Sequence, residues 1–242
     1  MKGGRSFTIA ATLAGLLLCS GSVMAAAPVI TADAEVTQTV RTVLVLTLMA
    51  FVPAFLICTT SFIRIIVVLS MIRHGLGMPE TPPNSVLLSL GLFLTLLSTG
   101  PALQAVSEKG VMPFLDGRLT IEQTMERSSA PLRDFMLRQV RDQDLKVIYG
   151  IAKKPLPARA ADVGMVQLVP AFMLNELRVA FTIGFVLLLP FLLIDLVVSA
   201  VLLSLGMLMV PPATISLPLK ILMFVVIDGW GLVVTGVLGS FR

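Results

Sequence analysis

Long apolar runs alternate with short polar interruptions along this chain, and the pattern predicts an all-α protein built from two helical hairpins. Val43 to Cys58 is apolar around Pro53. Thr59-Thr60-Ser61 interrupts it, and the apolar run resumes from Phe62 to Ile72 with Arg64 inside. The reach from 43 to 72 exceeds the about 20 residues of an ordinary span, which leaves open one long kinked helix or a broken one. Residues 73–84 carry Gly75, Gly77, Pro79, Pro82 and Pro83 and form a turn. Residues 85–101 make a second strongly apolar helix, completing a first hairpin over 41–101. The last third repeats the design over 169–242. Its apolar arms, 171–205 and 213–240, are joined where Gly206 and Pro211-Pro212 end one helix and turn the chain.

The segment between the hairpins, 102–168, has a different character. Ten Lys/Arg and eight Asp/Glu crowd between Gln104 and Val169. Thr120 and Gln123 fit a capping box, and Pro131 is placed to open a further helix after Ser128-Ser129-Ala130. On that helix Leu132, Phe135, Met136 and Val140 share a face, while Asp134/Arg138 and Arg138/Asp142 have i,i+4 spacing. The reading is an amphipathic helical insert, exposed to solvent or to another protein's surface.

Composition places the chain in the membrane class: 56% hydrophobic, 13% charged, mean hydropathy +0.97. A net charge of +4 is too weak a bias to suggest nucleic acid. Residues 1–25 read as a secretory signal, with Lys2 and Arg5 as a basic start, Phe7 to Leu18 as an apolar core and Val23-Met24-Ala25 as a small-residue cleavage site. Cleavage leaves Cys58 as the only cysteine and excludes an intrachain disulfide. It also places the insert on the exported side. The positive-inside rule prefers the reverse, but it weakens for loops beyond about 60 residues, so the signal decides.

Candidate chemistry is sparse. There is no Walker loop and no His-Glu-x-x-His, and His74, the only histidine, sits in a turn beside Arg73. No enzyme, cofactor or metal site is expected. The informative residues are charges inside apolar sequence: Arg64 in the first hairpin, and Glu176, Asp195, Lys220 and Asp228 in the second. Each costs roughly 2.5–3.5 kcal/mol at the centre of a lipid-facing helix on insertion scales. Such groups face protein, water or each other. Glu176 and Lys220, on opposite arms, are expected to pair, within one subunit or between neighbours.

Several motifs recur in the order of one family. Thr60-Ser61-Phe62 with Arg64-Ile65-Ile66, Thr81-Pro82-Pro83-Asn84, Leu189-Pro190-Phe191-Leu192 with Ile194-Asp195-Leu196-Val197, Pro211-Pro212 with Ile215-Ser216-Leu217-Pro218 and Lys220, and Asp228-Gly229-Trp230 resemble the flagellar export-gate family FliP over about residues 40–242. The resemblance implies a non-enzymatic subunit of the flagellar type III secretion gate in the bacterial inner membrane, with much of the complex on the periplasmic side. It implies assembly of several copies (a pentamer) with FliQ and FliR, and association with FlhB and FlhA, into a helical channel for unfolded flagellar proteins. Glu176 and Lys220 would then pair between neighbours. The family's methionine constriction maps to Met207, Leu208 and Met209, with leucine where a third methionine is usual. The alternatives are a virulence-type export-gate subunit and a proton-coupled transporter with Asp195 and Lys220 at a midplane site.

The signal reading is directly testable: N-terminal sequencing of the mature protein is expected to begin within about three residues of Ala26, and recovery of intact Met1 from the membrane-assembled protein would refute it.

Overall fold

The computed structural model describes Ala32–Phe241; the expected signal segment lies outside the described residues. The chain divides into two compact units, one ending at Phe51 and the other running from Val52. Among the described residues the regular structure is helical throughout. Helix α1, Ala32–Thr59, carries Pro53 in its interior and crosses the boundary between the units.

Within the second unit the first apolar run is broken. The segment Pro53–Thr59 and helix α2, Phe62–Gly75, meet at 81°. Hydroxyls make this bend possible in an apolar setting, because freed backbone groups need partners there. The Ser61 amide finds such a partner in Thr99 Oγ1, while the Thr59 and Thr60 hydroxyls bond back to the carbonyls of Phe55 and Leu56 in their own helix (2.8 and 2.7 Å). The Ser61 hydroxyl also hydrogen-bonds with those of Ser98 and Thr99. Those partners lie on helix α3, Asn84–Val106, which packs against α2. The turn between them is held by Arg73, whose Nη1 donates to Asn84 Oδ1 and to the Pro82 carbonyl.

Helix α3 passes through a π-helical turn, Ser107–Val111, into α4, Met112–Leu115, giving a run of 32 residues. Gly110 permits close approach to α5, Ile121–Gln139: a Cβ there would lie 2.0 Å from Ser128 Oγ. The capping box at Thr120 and Gln123 forms as the sequence predicts. Pro131 does not open a new helix; α5 continues through it. A proline removes one backbone bond, and here burial of Leu132, Phe135 and Met136 outweighs that loss. The break comes later, at Val140 and Arg141, which are both extended. Arg138 and Asp142 therefore lie on different helices and lose the i,i+4 relation. Helix α6, Asp142–Ile151, completes the insert.

Helix α7, Met165–Ser204, is 40 residues long and runs through Pro170 and Pro190. The return arm consists of α8, Pro212–Val226, and α9, Gly229–Leu238, bent by 67° at Ile227 and Asp228. Two cores result. One gathers Ile65, Val68, Leu69 and Ile72 of α2 with residues of α3, α7, α8 and α9. The other joins Phe135, Met136 and Tyr149 of the insert to Leu168 and Phe172 near the start of α7. Among the described residues, the Asn84–Leu115 run and α7 are long and apolar enough to cross a membrane, and the two bent pairs qualify if each is one span.

Helices α2 and α7 approach closely at Gly184, where a Cβ would lie 2.6 Å from Met71 Sδ. Gly184→Leu is expected to destabilise the protein by roughly 1–3 kcal/mol through overpacking. Gly184→Ala should be milder because Met71 can repack. Thermal unfolding in mild detergent distinguishes the two, and an unchanged midpoint for Gly184→Leu would show that this contact does not matter.

Candidate functional site

The embedded charges resolve into separate clusters. Arg64, on α2, is almost fully buried and faces an equally buried Glu176 on α7. The contact is bidentate: Nε donates to Oε2 at 2.8 Å, and Nη2 donates to Oε1. Nη1 donates to the backbone and side-chain oxygens of Ser240, at 3.1 and 2.8 Å, and the Phe241 ring lies under the guanidinium with its centroid 3.9 Å from Cζ. Planar guanidinium geometry suits such a fork-to-fork contact better than a lysine would.

Lys220, on α8, donates to Asp195 Oδ2 of α7 at 2.6 Å and to the carbonyl of Gly75 at 3.1 Å. One lysine thus joins both arms of the second hairpin to the end of α2. The lysine is nearly buried, but the Asp195 side chain is 41% exposed. It opens on a cavity of about 260 Å³ lined by Gly77, Ser199, Pro212 and Ser216 among others.

Within one chain the expected Glu176–Lys220 pair does not form. In the folded chain Glu176 is matched by Arg64 and Lys220 by Asp195. Glu176 presents no exposed surface in this conformation. Asp228 forms no part of these clusters. It adopts a left-handed backbone (φ 51°) at the bend and caps α9 by accepting from the Gly231 amide. Its role is to turn the chain, with aspartate tolerating a conformation that most side chains avoid.

A further pair was not legible from spacing. Asp144, buried on α6, accepts from half-exposed Arg178 of α7 at 2.7 Å. One turn away Asn175 donates to the Gln139 carbonyl at 2.9 Å. These contacts fasten the insert to α7. The hints were indirect: Arg178 stands at the entry to an apolar arm, and Asp144 lies in the first turn of α6. The sole histidine has a local role, with His74 Nδ1 donating to the Ser70 carbonyl. Among the described residues no group of three or more His, Cys, Asp and Glu is placed to hold a metal ion.

The loop joining α7 to α8 contains the predicted methionines. Gly206 adopts φ +72°, which ends α7, and Pro211 and Pro212 start α8. Between them Met207, Leu208 and Met209 are 44, 77 and 96% exposed. Leu208 and Met209 thus stand out of the tip with little cover from their own chain, and Met207 is about half covered.

Buried ion pairs between long apolar helices, a polar helical insert fastened to one of them and an exposed methionine loop define an all-helical protein of membrane type. Comparison with known families makes the class specific: the FliP family model matches residues 45–237, and the chain belongs to that family. It is 48% identical over 205 residues to the flagellar biosynthetic protein FliP of Pectobacterium carotovorum subsp. carotovorum, covering 85% of this chain and 80% of the relative. It is 41% identical to the flagellar biosynthetic protein FliP of Bacillus subtilis (86% and 94% covered) and 37% identical to that of Aquifex aeolicus (94% and 97% covered).

The observed pairing generates a charge-exchange test. Lys220→Glu places two carboxylates together and is expected to lower the folded protein recovered from membranes several-fold. Adding Asp195→Lys should restore part of it, whereas adding Glu176→Lys should not. Rescue by Glu176→Lys alone would contradict the pairing.

Proposed function

We propose that this chain is a channel-forming subunit of the flagellar type III export gate, conducting unfolded flagellar components across the inner membrane. Membership of the FliP family makes it a membrane component of the flagellar export apparatus. The finer reading rests on the methionine loop. Apolar, unbranched thioether side chains held at the tip of a rigid hairpin suit a seal that must close when idle and repack around different passing side chains. Hydrophobic constrictions block ions by dewetting, and one loop supplies only part of a ring. The reading therefore requires several copies, a pentamer by family resemblance, assembled with FliQ and FliR and contacting FlhB and FlhA.

The protein acts here by shape and packing rather than by bond chemistry. Met207, Leu208 and Met209 form the closure, and the Lys220–Asp195 pair fixes the arms that carry it.

Met207→Ala with Met209→Ala is expected to leave the purified complex assembled and to raise its conductance to small ions in planar bilayers. Leu208→Met should be nearly silent because it exchanges similar volumes. An assembled double-alanine complex with unchanged conductance would place the seal elsewhere.

A further inference from the structure

Arg64 is buried early in the chain, yet its partners come much later. Glu176 lies 112 positions on, and Ser240 lies 176 positions on. An arginine presents five N–H donors. Glu176 takes up Nε and one Nη2 donor, and among the described residues Nη1 is served by Ser240. The serine is set for this task. Its hydroxyl donates its own proton to the Val237 carbonyl at 2.6 Å, so its lone pairs face Arg64. The backbone carries the last turn of α9 onward, with the Ser240 amide donating to Val237 and the Phe241 amide to Leu238. Phe241 then covers the guanidinium face.

We propose that Ser240 and Phe241 form a strap that closes the Arg64–Glu176 cluster, so that α2 is fully buried only once the segment after α9 has docked. The physical reason is the cost of stranding part of a desolvated guanidinium. Without the strap Nη1 has neither acceptor, and a buried donor left unpaired carries its full desolvation penalty. Glu176 alone neutralises the charge but leaves the far side of the guanidinium bare. The strap is thus a completion lock: the first hairpin is made long before its buried charge can be fully satisfied.

The lock differs from ordinary apolar packing in its dependence on Arg64. Ser240→Ala with Phe241→Leu removes the hydroxyl acceptor and the aromatic face while keeping apolar bulk. In otherwise unaltered protein, purified in mild detergent, this pair of changes is expected to lower the thermal midpoint by roughly 5 °C. Ser240→Thr with Phe241→Tyr keeps both features and should stay within about 1 °C of the parent. In a background where Arg64→Leu and Glu176→Leu have replaced the ion pair, the Ala/Leu changes should shift the midpoint by less than about 1 °C, since no guanidinium remains to satisfy. An equal drop in both backgrounds, or a Thr/Tyr variant as unstable as the Ala/Leu one, would overturn the proposal. If the Leu/Leu background does not accumulate, the comparison of Ala/Leu with Thr/Tyr decides alone.

Discussion

Two charged side chains meet where α2 lies along α7, and the surrounding faces are apolar. A slide of one helical turn, about 5.4 Å, would leave Ile65, Val68, Leu69 and Ile72 against apolar partners but would carry Met71 off Gly184. The bidentate contact between Arg64 and Glu176 forms in one register only. A buried ion pair is weak evidence of net stability, because desolvation of both ions offsets most of their attraction. Breaking it from one side strands a charge and costs about 3–5 kcal/mol. The energy gap therefore lies between the correct register and every other one. Once α2 is fixed on α7, the close contact of Met71 with Gly184 and the docking of Ser240 follow from the same alignment.

Lys220 serves a different end. Its ammonium is nearly buried and bridges α7, α8 and the Gly75 carbonyl, while its carboxylate partner is open on one side to a cavity of mixed polar and apolar lining. The first hairpin's turn is thereby tied to the second hairpin on the side where Pro212 also lines the cavity. The methionine loop springs from the same arms. The two prolines restrict its backbone, Gly206 supplies the left-handed turn that opens it, and the lysine restrains the helices that hold it. In the proposed gate, that combination lets side chains yield while the frame stays fixed.

The parts of this structure legible from sequence were those that depend on local pattern. The capping box at Thr120, the shared face of Leu132, Phe135 and Met136, and the loop at Gly206–Pro212 all follow from residues a few positions apart. Partner choice did not. Arg64, Glu176, Asp195 and Lys220 could each be recognised as charges that need company. Which anion meets which cation depends on how two hairpins rotate about one another, and periodicity along one helix does not encode that. Glu176 and Lys220 lie on opposite arms, which suggested a pair, but Arg64 enters from the first hairpin and takes the glutamate. Pro131 failed as a helix start for a related reason: a local breaker signal lost to tertiary burial. The roles of Ser240 and Phe241 left no pattern of their own, since a serine and a phenylalanine after an apolar helix are unremarkable until Arg64 is set beside them.

The excessive length of α7 has a physical resolution along its own axis. Its first half is packed by protein: Leu168, Ala171, Phe172, Asn175, Glu176 and Ala180 are buried beneath the insert and the first hairpin. From Phe185 onward most large apolar residues are exposed, through Leu189, Leu193, Val197 and Val201 to Leu205. At 1.5 Å per residue that second stretch is about 30 Å long, the thickness of a bilayer's hydrocarbon. The helix is therefore two functional lengths joined end to end. Asp195 sits near the middle of the exposed length with its carboxylate only partly covered. At that depth a lipid contact is most costly for a charge. The Asp195 side chain points about 200° around the helix from exposed Leu193 and Val197, on the side of buried Phe191, Val198 and Leu202, where Lys220 meets it. The carboxylate is thereby turned away from the exposed apolar face and toward the return arm that carries its cation, so the exposed length keeps an uninterrupted apolar side.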